Sequence, residues 1–259
     1  MSDSRNTGRL PARLLGVWAH PDDECYLSAG LMARVIAAGG SVRIVCATRG
    51  EYGTSDRAEM GSPRFGRFRE FELRSSLAVL GVDDVHFLGI PDGECLEVDQ
   101  TEMCEVVADH IAAFDPDTVV TFGSDGITAH VDHVAVSRWA TGAAPSFVDV
   151  RYAALTHAFA ERHAAMHDTL GLFDDLPGRR PASIADDDVV MRVSLDHGEL
   201  IRKRRALREH RSQTASLAAM VGEDTYFTWW RDECFRLPTP AESATARAIA
   251  GRDLVGAVS

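Results

Sequence analysis

The 259-residue sequence has no run approaching the ~20 consecutive apolar residues of a membrane-spanning helix. Its longest early apolar run, Leu14 to Ala19, gives way at once to His-Pro-Asp-Asp-Glu, which is too short and wrongly flanked for a signal peptide. Positive charge is scarce: 27 Lys and Arg stand against 39 Asp and Glu, a formal net charge of −12. Like charge repels polyanions at a distance, which argues against nucleic acid and anionic membrane as partners. The five cysteines (Cys25, Cys46, Cys95, Cys104 and Cys234) are odd in number and contain no CxxC pair. That excludes a disulfide framework and suits reduced, buried thiols in a cytoplasmic protein. Internal repeats and long low-complexity tracts are also missing. The ordinary hydrophobic and charged fractions, 45% and 25%, exclude wholesale disorder.

What is present is an alternation of short apolar runs with amphipathic stretches. Leu14–Ala19, Val42–Ala47, Val85–Leu88, Thr118–Phe122 and Tyr152–Leu155 read as strands. Helices are expected over Ser28–Ala38 (Ser28 as N-cap), Arg64–Leu80, Thr101–Phe114 and Val131–Thr141. This order predicts an α/β fold: a Rossmann-like, mostly parallel sheet with helices on both faces. Residues 12–259 are read as one α/β domain, with 1–11 a loose arm and 173–259 a C-terminal elaboration. The elaboration holds a Pro/Gly turn region at Leu176–Pro181, a strand at Val189–Leu195 and a basic helix at His197–Ser212. Its end, after Pro240, reads as weakly structured.

In an open parallel sheet, ligands sit beyond the carboxyl ends of the strands where strand order reverses, commonly between strands 1 and 4. The sequence puts its most unusual polar clusters at those two ends. His20, Pro21, Asp22, Asp23 and Glu24 follow strand 1, and His130, Val131, Asp132 and His133 follow strand 4. Imidazoles and carboxylates together suit a divalent transition ion, and three protein ligands leave a position open for water or substrate. One of the adjacent aspartates can bind the ion while the other accepts a proton from water. Likewise one of His130 and His133 can coordinate while the other faces the reacting group, with Asp132 holding that second imidazole. The bland alternative is a proline turn whose aspartates cap the next helix.

The motif AHPDDE at Ala19–Glu24 together with HVDH at His130–His133 resembles the LmbE-like or PIG-L-like deacetylases. Supporting marks are TRGEYG at Thr48–Gly53, Arg69 and Glu72 ahead of Leu80–Val82, PDG at Pro91–Gly93, and Lys203, Ala206, His210, Ser212 and Gln213. The family consists of zinc-dependent amidases acting on N-acetylglucosamine-containing substrates. The resemblance implies that His20, Asp23 and His133 bind Zn²⁺, with Fe²⁺ as another divalent option. It implies that Asp22 is the general base and that His130, oriented by Asp132, stabilises the oxyanion or protonates the leaving amine. Arg69 falls at a substrate-contacting arginine, and Asp92 is the candidate for sugar hydroxyls. The implied substrate is an N-acylated amino sugar or related small-molecule amide; the oligomeric state is not implied.

Two rivals use the same residues. Two histidines and one carboxylate also form the facial triad of iron(II) oxygenases, although the extra carboxylate Asp22 favours hydrolysis. A non-catalytic nucleotide- or metal-binding module is the other, but GxGxxG is missing after strand 1, where His-Pro-Asp-Asp would repel a pyrophosphate. Cys25 reads as a structural thiol, because neighbouring carboxylates raise its pKa. His163 and His167 have the i, i+4 spacing of a metalloprotease helix but lack its glutamate, and read as surface or capping residues. The basic run Arg202–Arg211 reads as a solvated helix face paired with Asp186–Asp188, or as the source of Lys203 or His210 at the crevice rim.

Overall fold

The computed structural model of the chain describes residues 8–174, 176, 178 and 180–251. Most of the expected arm, parts of the turn region at 176–181 and the last part of the C-terminal end (252–259) lie outside the described residues. Seven strands form one sheet: β1 (Arg13–Trp18), β2 (Ser41–Cys46), β3 (Asp84–Phe87), β4 (Thr118–Phe122), β5 (Asp149–Ala154), β6 (Met191–Ser194) and β7 (Asp232–Arg236). Their order is β3-β2-β1-β4-β5-β7-β6. The first five pair in parallel, and β7 runs antiparallel to both β5 and β6. Strand order therefore reverses between β1 and β4, as the alternation predicts. Both are central strands covered on two faces, so β4 is buried throughout and β1 throughout after Arg13.

The helices, in chain order, are α1 (Asp23–Ala37), α2 (Pro63–Leu80), α3 (Gln100–Phe114), α4 (Gly126–Ala129), α5 (Val131–Ala143), α6 (His157–Arg162), α7 (Ala164–Leu170), α8 (His197–Glu209), α9 (Arg211–Val221), α10 (Glu223–Trp229) and α11 (Pro240–Ile249). Helices α1, α2 and α8 pack together on one face of the sheet, and α3, α5 and α11 on the other, as right-handed crossovers in this strand order require. No helix among the described residues is long and apolar enough to cross a membrane. All five cysteines are buried, and burial, then Glu24, raises the Cys25 thiol well above its ordinary pKa.

Four expectations change. Helix α1 starts at Asp23 and not at Ser28, because Pro21 presets the turn and Asp23 and Glu24 complement the helix dipole in the first turn; Ser28 instead donates its hydroxyl to the Glu24 carbonyl. The basic helix ends at Glu209, where His210 leaves helical geometry and α9 begins. The region after Pro240 is helical, with Pro240 in its first turn and a capping box between Thr239 and Glu242. Strand β7 was not expected at all, since DECFR carries no apolar run. It forms because two strands flank it and its inward carboxylate finds a partner.

That partner explains how the C-terminal third is fastened. Glu233 of β7 accepts the backbone N–H groups of Gly30 and Leu31, inside α1, at 2.7 and 2.9 Å. Lys203 of α8 donates to the same carboxylate at 2.8 Å and to the Tyr26 carbonyl at 2.6 Å. A Cβ on Gly30 would lie 2.2 Å from Leu195 Cδ2, so glycine is what lets β6 and β7 approach this helix. Lys203 and His210 are therefore fully interior and neither stands at a crevice rim. Arg204 pairs with Asp224 and Glu223, and Arg208 with Glu223, whereas Asp186 pairs with Arg192. The expected link to Asp186–Asp188 is absent among the described residues.

Candidate active site

The two motifs meet where the topology brings the ends of β1 and β4 together. Beyond β1 the chain turns through Pro21 into Asp22, whose φ of 118° is a left-handed conformation for a non-glycine residue. Arg69 of α2 holds that turn, donating to the Pro21 carbonyl and, at 2.8 Å, to the Gly50 carbonyl. A Cβ on Gly50 (φ 63°) would lie 2.0 Å from this guanidinium, so the loop is built around it. Beyond β4, Gly126, Ile127 and Ala129 all have positive φ. Among the described residues four non-glycine positions do, and Asp22, Ile127 and Ala129 are three of them. Such backbone costs about 1–3 kcal/mol per residue and persists only where the surroundings dictate it.

Donor atoms of three residues stand close together, with Asp23 turning a different carboxylate oxygen to each imidazole. His20 Nδ1 lies 3.2 Å from His133 Nε2, Asp23 Oδ2 lies 3.6 Å from His20 Nδ1, and Asp23 Oδ1 lies 3.5 Å from His133 Nε2. Tetrahedral coordination at metal–ligand bonds of about 2.0–2.1 Å needs donor separations of about 3.3–3.4 Å. Hydrogen bonds elsewhere on each ring fix which nitrogen keeps its lone pair. His133 Nδ1 donates to the Gly126 carbonyl at 2.9 Å, and His20 Nε2 faces Asp132 at 3.0 Å and Asp92 at 3.1 Å. Two lone pairs and a carboxylate thus converge on one point, which is the chemistry of a cation site. The imidazoles of His20, His130 and His133 also cluster closely enough to share an ion.

The local charge balance agrees. Burial alone would depress the His20 pKa, yet Asp132, Asp23 and Asp92 outweigh it and hold it well above the ordinary imidazole value. A proton on His20 stands in for a cation that three carboxylates require. Burial, and then His20, push His133 down to about 4, so this ring is neutral. Despite its burial, Asp23 is held at about 2 by His133 and His20. Burial lifts Asp22 to about 7 against the opposing charge of Arg69, 3.5 Å away.

The capping alternative fails at Asp22, whose side chain makes no cap bond to α1. Asp23 reaches back instead, accepting the His20 backbone N–H at 2.8 Å. The expected pairing of Asp132 with His130 is corrected. The Asp132 carboxylate accepts from the backbone N–H groups of Gly93 and Cys95 and braces His20; the hydrogen bond from Asp132 to His130 comes from its backbone N–H, which donates to His130 Nδ1 at 3.2 Å. That bond leaves the His130 proton on Nε2, and burial, then His20, keep the ring neutral. Arg69 lines the basin, with its two terminal nitrogens donating to the Gly50 and Pro21 carbonyls and one of them also facing the Asp22 carboxylate. Asp92 is shared between His20 and the Tyr52 backbone N–H.

Two cavities adjoin these donors. A polar basin of about 510 Å³ is lined by Tyr52, Asp92, Glu94 and His130 among others. A second cavity of about 220 Å³ is walled mainly by apolar and aromatic side chains, including Tyr226, Trp229 and Trp230. Both are bordered by Asp22, Asp23, His133 and Gln213. The sequence reading missed the aromatic cavity, for which adjacent tryptophans were the available signal. It also missed the interior braces: His210 against Glu24 at 3.1 Å, and Ser212 against Glu72 at 2.6 Å. His167, read as a surface or capping residue, is buried among Phe159, Phe173 and Trp229, and neither ring nitrogen has a hydrogen-bond partner among the described residues.

A mostly parallel α/β sheet carrying two histidines and a carboxylate at its switch point defines a protein with a candidate metal centre. The chain belongs to the PIG-L (GlcNAc-PI de-N-acetylase) family, whose model matches residues 15–144. It is 33% identical over 243 residues to a 1D-myo-inositol 2-acetamido-2-deoxy-alpha-D-glucopyranoside deacetylase of Actinosynnema mirum, covering 83% of this chain and 86% of that protein. A protein of the same description from Mycobacterium sp. (strain KMS) is 35% identical over 162 residues, covering 54% of this chain and 53% of the relative, so that match spans about half the relative's length. Among solved structures, N,N'-diacetylchitobiose deacetylase from Pyrococcus horikoshii shares the fold, with a TM-score of 0.61 and 20% identity over 88% of this chain and 84% of that one.

Proposed function

We propose that this chain is a metal-dependent amidase that removes an acyl group from an N-acylated amino sugar or a related small-molecule amide. The observation that carries the reading is the convergence of His20 Nδ1, His133 Nε2 and the Asp23 carboxylate, with Asp22 beside them making no capping bond. These three residues would hold a zinc ion, or another divalent ion such as Fe²⁺. When bound, such an ion polarises a carbonyl and lowers the pKa of water toward 7. Asp22 receives the proton released from the attacking water, and its pKa near 7 suits a base working at neutral pH. His130 offers its Nε2–H to the amide oxygen as negative charge develops there. Asp132 and Asp92 hold His20 in the tautomer whose Nδ1 lone pair faces the centre. Arg69 fixes the Pro21–Asp22 turn and so aims the base.

The polar basin takes the sugar, with Asp92, Tyr52 and Glu94 available to its hydroxyls. The acetamido-sugar inositols named for the relatives are the first compounds to try. We take residues 12–259 as one catalytic unit, acting in the cytoplasm without nucleic acid or membrane. An iron(II) oxygenase would use the same donors but leave Asp22 without a task. The test is metal analysis of the purified protein with a fluorescamine screen for amine release from N-acylated sugars. Asp22→Ala is expected to keep its metal and lose about 10²–10⁴-fold in turnover. Full activity in that variant overturns the role of Asp22; a metal-loaded protein that releases no amine from any amide overturns the amidase reading.

A further inference from the structure

An amide has two halves, and the scissile C–N bond joins them. Here the residues around the reacting point, Asp22, Asp23 and His133, border two cavities of opposite character. The polar basin holds the groups suited to sugar hydroxyls, so the acyl half must leave the centre on the other side. On that side stand Tyr26, Phe173, Leu217, Tyr226, Trp229 and Trp230. The hydroxyls of Tyr26 and Tyr226 bond to each other, which spends their polarity within the wall. Trp230 packs against Tyr26 and Trp229, with ring centroids 5.4 and 4.7 Å apart.

We infer that the acyl group removed at this site is apolar and larger than acetyl, seated in the aromatic cavity while the amino sugar occupies the polar basin. The inference rests on the amidase reading. Size supports it: an acetyl methyl is comparable to one water, whose share of volume is about 30 Å³, and an apolar cavity of about 150 Å³ takes a benzene ring. This cavity measures about 220 Å³. An acetyl group alone would leave most of its apolar wall facing water at the centre where water must be controlled.

The experiment compares kcat/KM for N-acetyl-, N-butanoyl-, N-hexanoyl- and N-octanoylglucosamine with the metal-loaded protein, by amine release. Each methylene entering the cavity is expected to raise kcat/KM about two- to fourfold until the space is filled, so hexanoyl exceeds acetyl by at least about tenfold. The octyl glycoside of N-acetylglucosamine, with its chain on the sugar side, is expected to show no such gain. Leu217→Trp, or Leu217→Phe should the larger side chain prevent folding, fills the cavity and is expected to bring the hexanoyl-to-acetyl ratio down at least fivefold. On the metal-free protein, N-hexanoylglucosamine is expected to perturb tryptophan emission at lower concentration than the acetyl sugar. A flat or falling series, or a gain that follows the octyl glycoside, overturns the inference and leaves the amidase reading intact. Amine release from no member overturns that reading, and the inference with it.

Discussion

Replacing Lys203 by methionine removes an ammonium that is 1% exposed and keeps most of the volume of its stem. The Glu233 carboxylate left behind is also buried, and it retains the Gly30 and Leu31 N–H groups but loses the 2.8 Å charged bond. The Tyr26 carbonyl loses its 2.6 Å donor as well. Breaking a buried ion pair from one side costs about 3–5 kcal/mol, because the partner charge stays behind uncompensated. Methionine fills the space, so little is added for a cavity. Urea unfolding should therefore show a lower midpoint at unchanged slope, and the melting temperature should fall by roughly 6–20 °C. Adding Glu233→Gln to this variant removes the stranded charge and keeps an acceptor oxygen for one of the two N–H groups, which bond to different oxygens of the carboxylate, and should recover part of the loss. A loss below about 1 kcal/mol, or a double variant that is simply the sum of the singles, would refute the claim that this pair fastens α8 and β7 to α1.

Glu242 is held at about 2, because Arg236, Ser124 and Thr239 outweigh the effect of burial. A depressed carboxylate stabilises above its ordinary pKa of 4.5 and loses that contribution as pH falls toward 2. Discounted for solvent screening, Glu242→Gln should cost about 1–2 kcal/mol at pH 7, shrinking steadily below pH 4.5 in parallel denaturation curves. Asp132→Ala removes the brace on His20 and should weaken zinc binding about 10–100-fold in a chelator competition. Gly30→Ala drives a Cβ to 2.2 Å from Leu195 Cδ2 and should cost about 1–3 kcal/mol in a thermal melt.

The opposite fates of two acidic clusters show what could be read in advance. Asp22, Asp23 and Asp132 were legible because each follows a strand whose apolar run is unmistakable, and strand alternation alone predicts that β1 and β4 lie side by side. Asp186–Asp188 looked equally suited to a basic partner, yet Arg204 and Arg208 turn to Glu223 and Asp224, neighbours set by helix packing. Asp132 shows the same limit within the site. Its neighbour in sequence is His130, but α5 turns its carboxylate toward His20.

The sequence by itself determined the β1 to β5 alternation, the parallel sheet and the two motifs that supply the donors. Those follow from local periodicity and from residue types whose chemistry is the same wherever they stand. Only the tertiary structure decided that Lys203 and His210 are interior braces, that DECFR is a strand and that an aromatic cavity adjoins the polar basin. All depend on contacts between residues distant in sequence: Tyr26 with Lys203, Glu24 with His210, Tyr26 with Tyr226, and the DECFR strand with β5 and β6. A charged or aromatic side chain reads alike in sequence whether solvent or a distant partner meets it, and packing alone decides between the two.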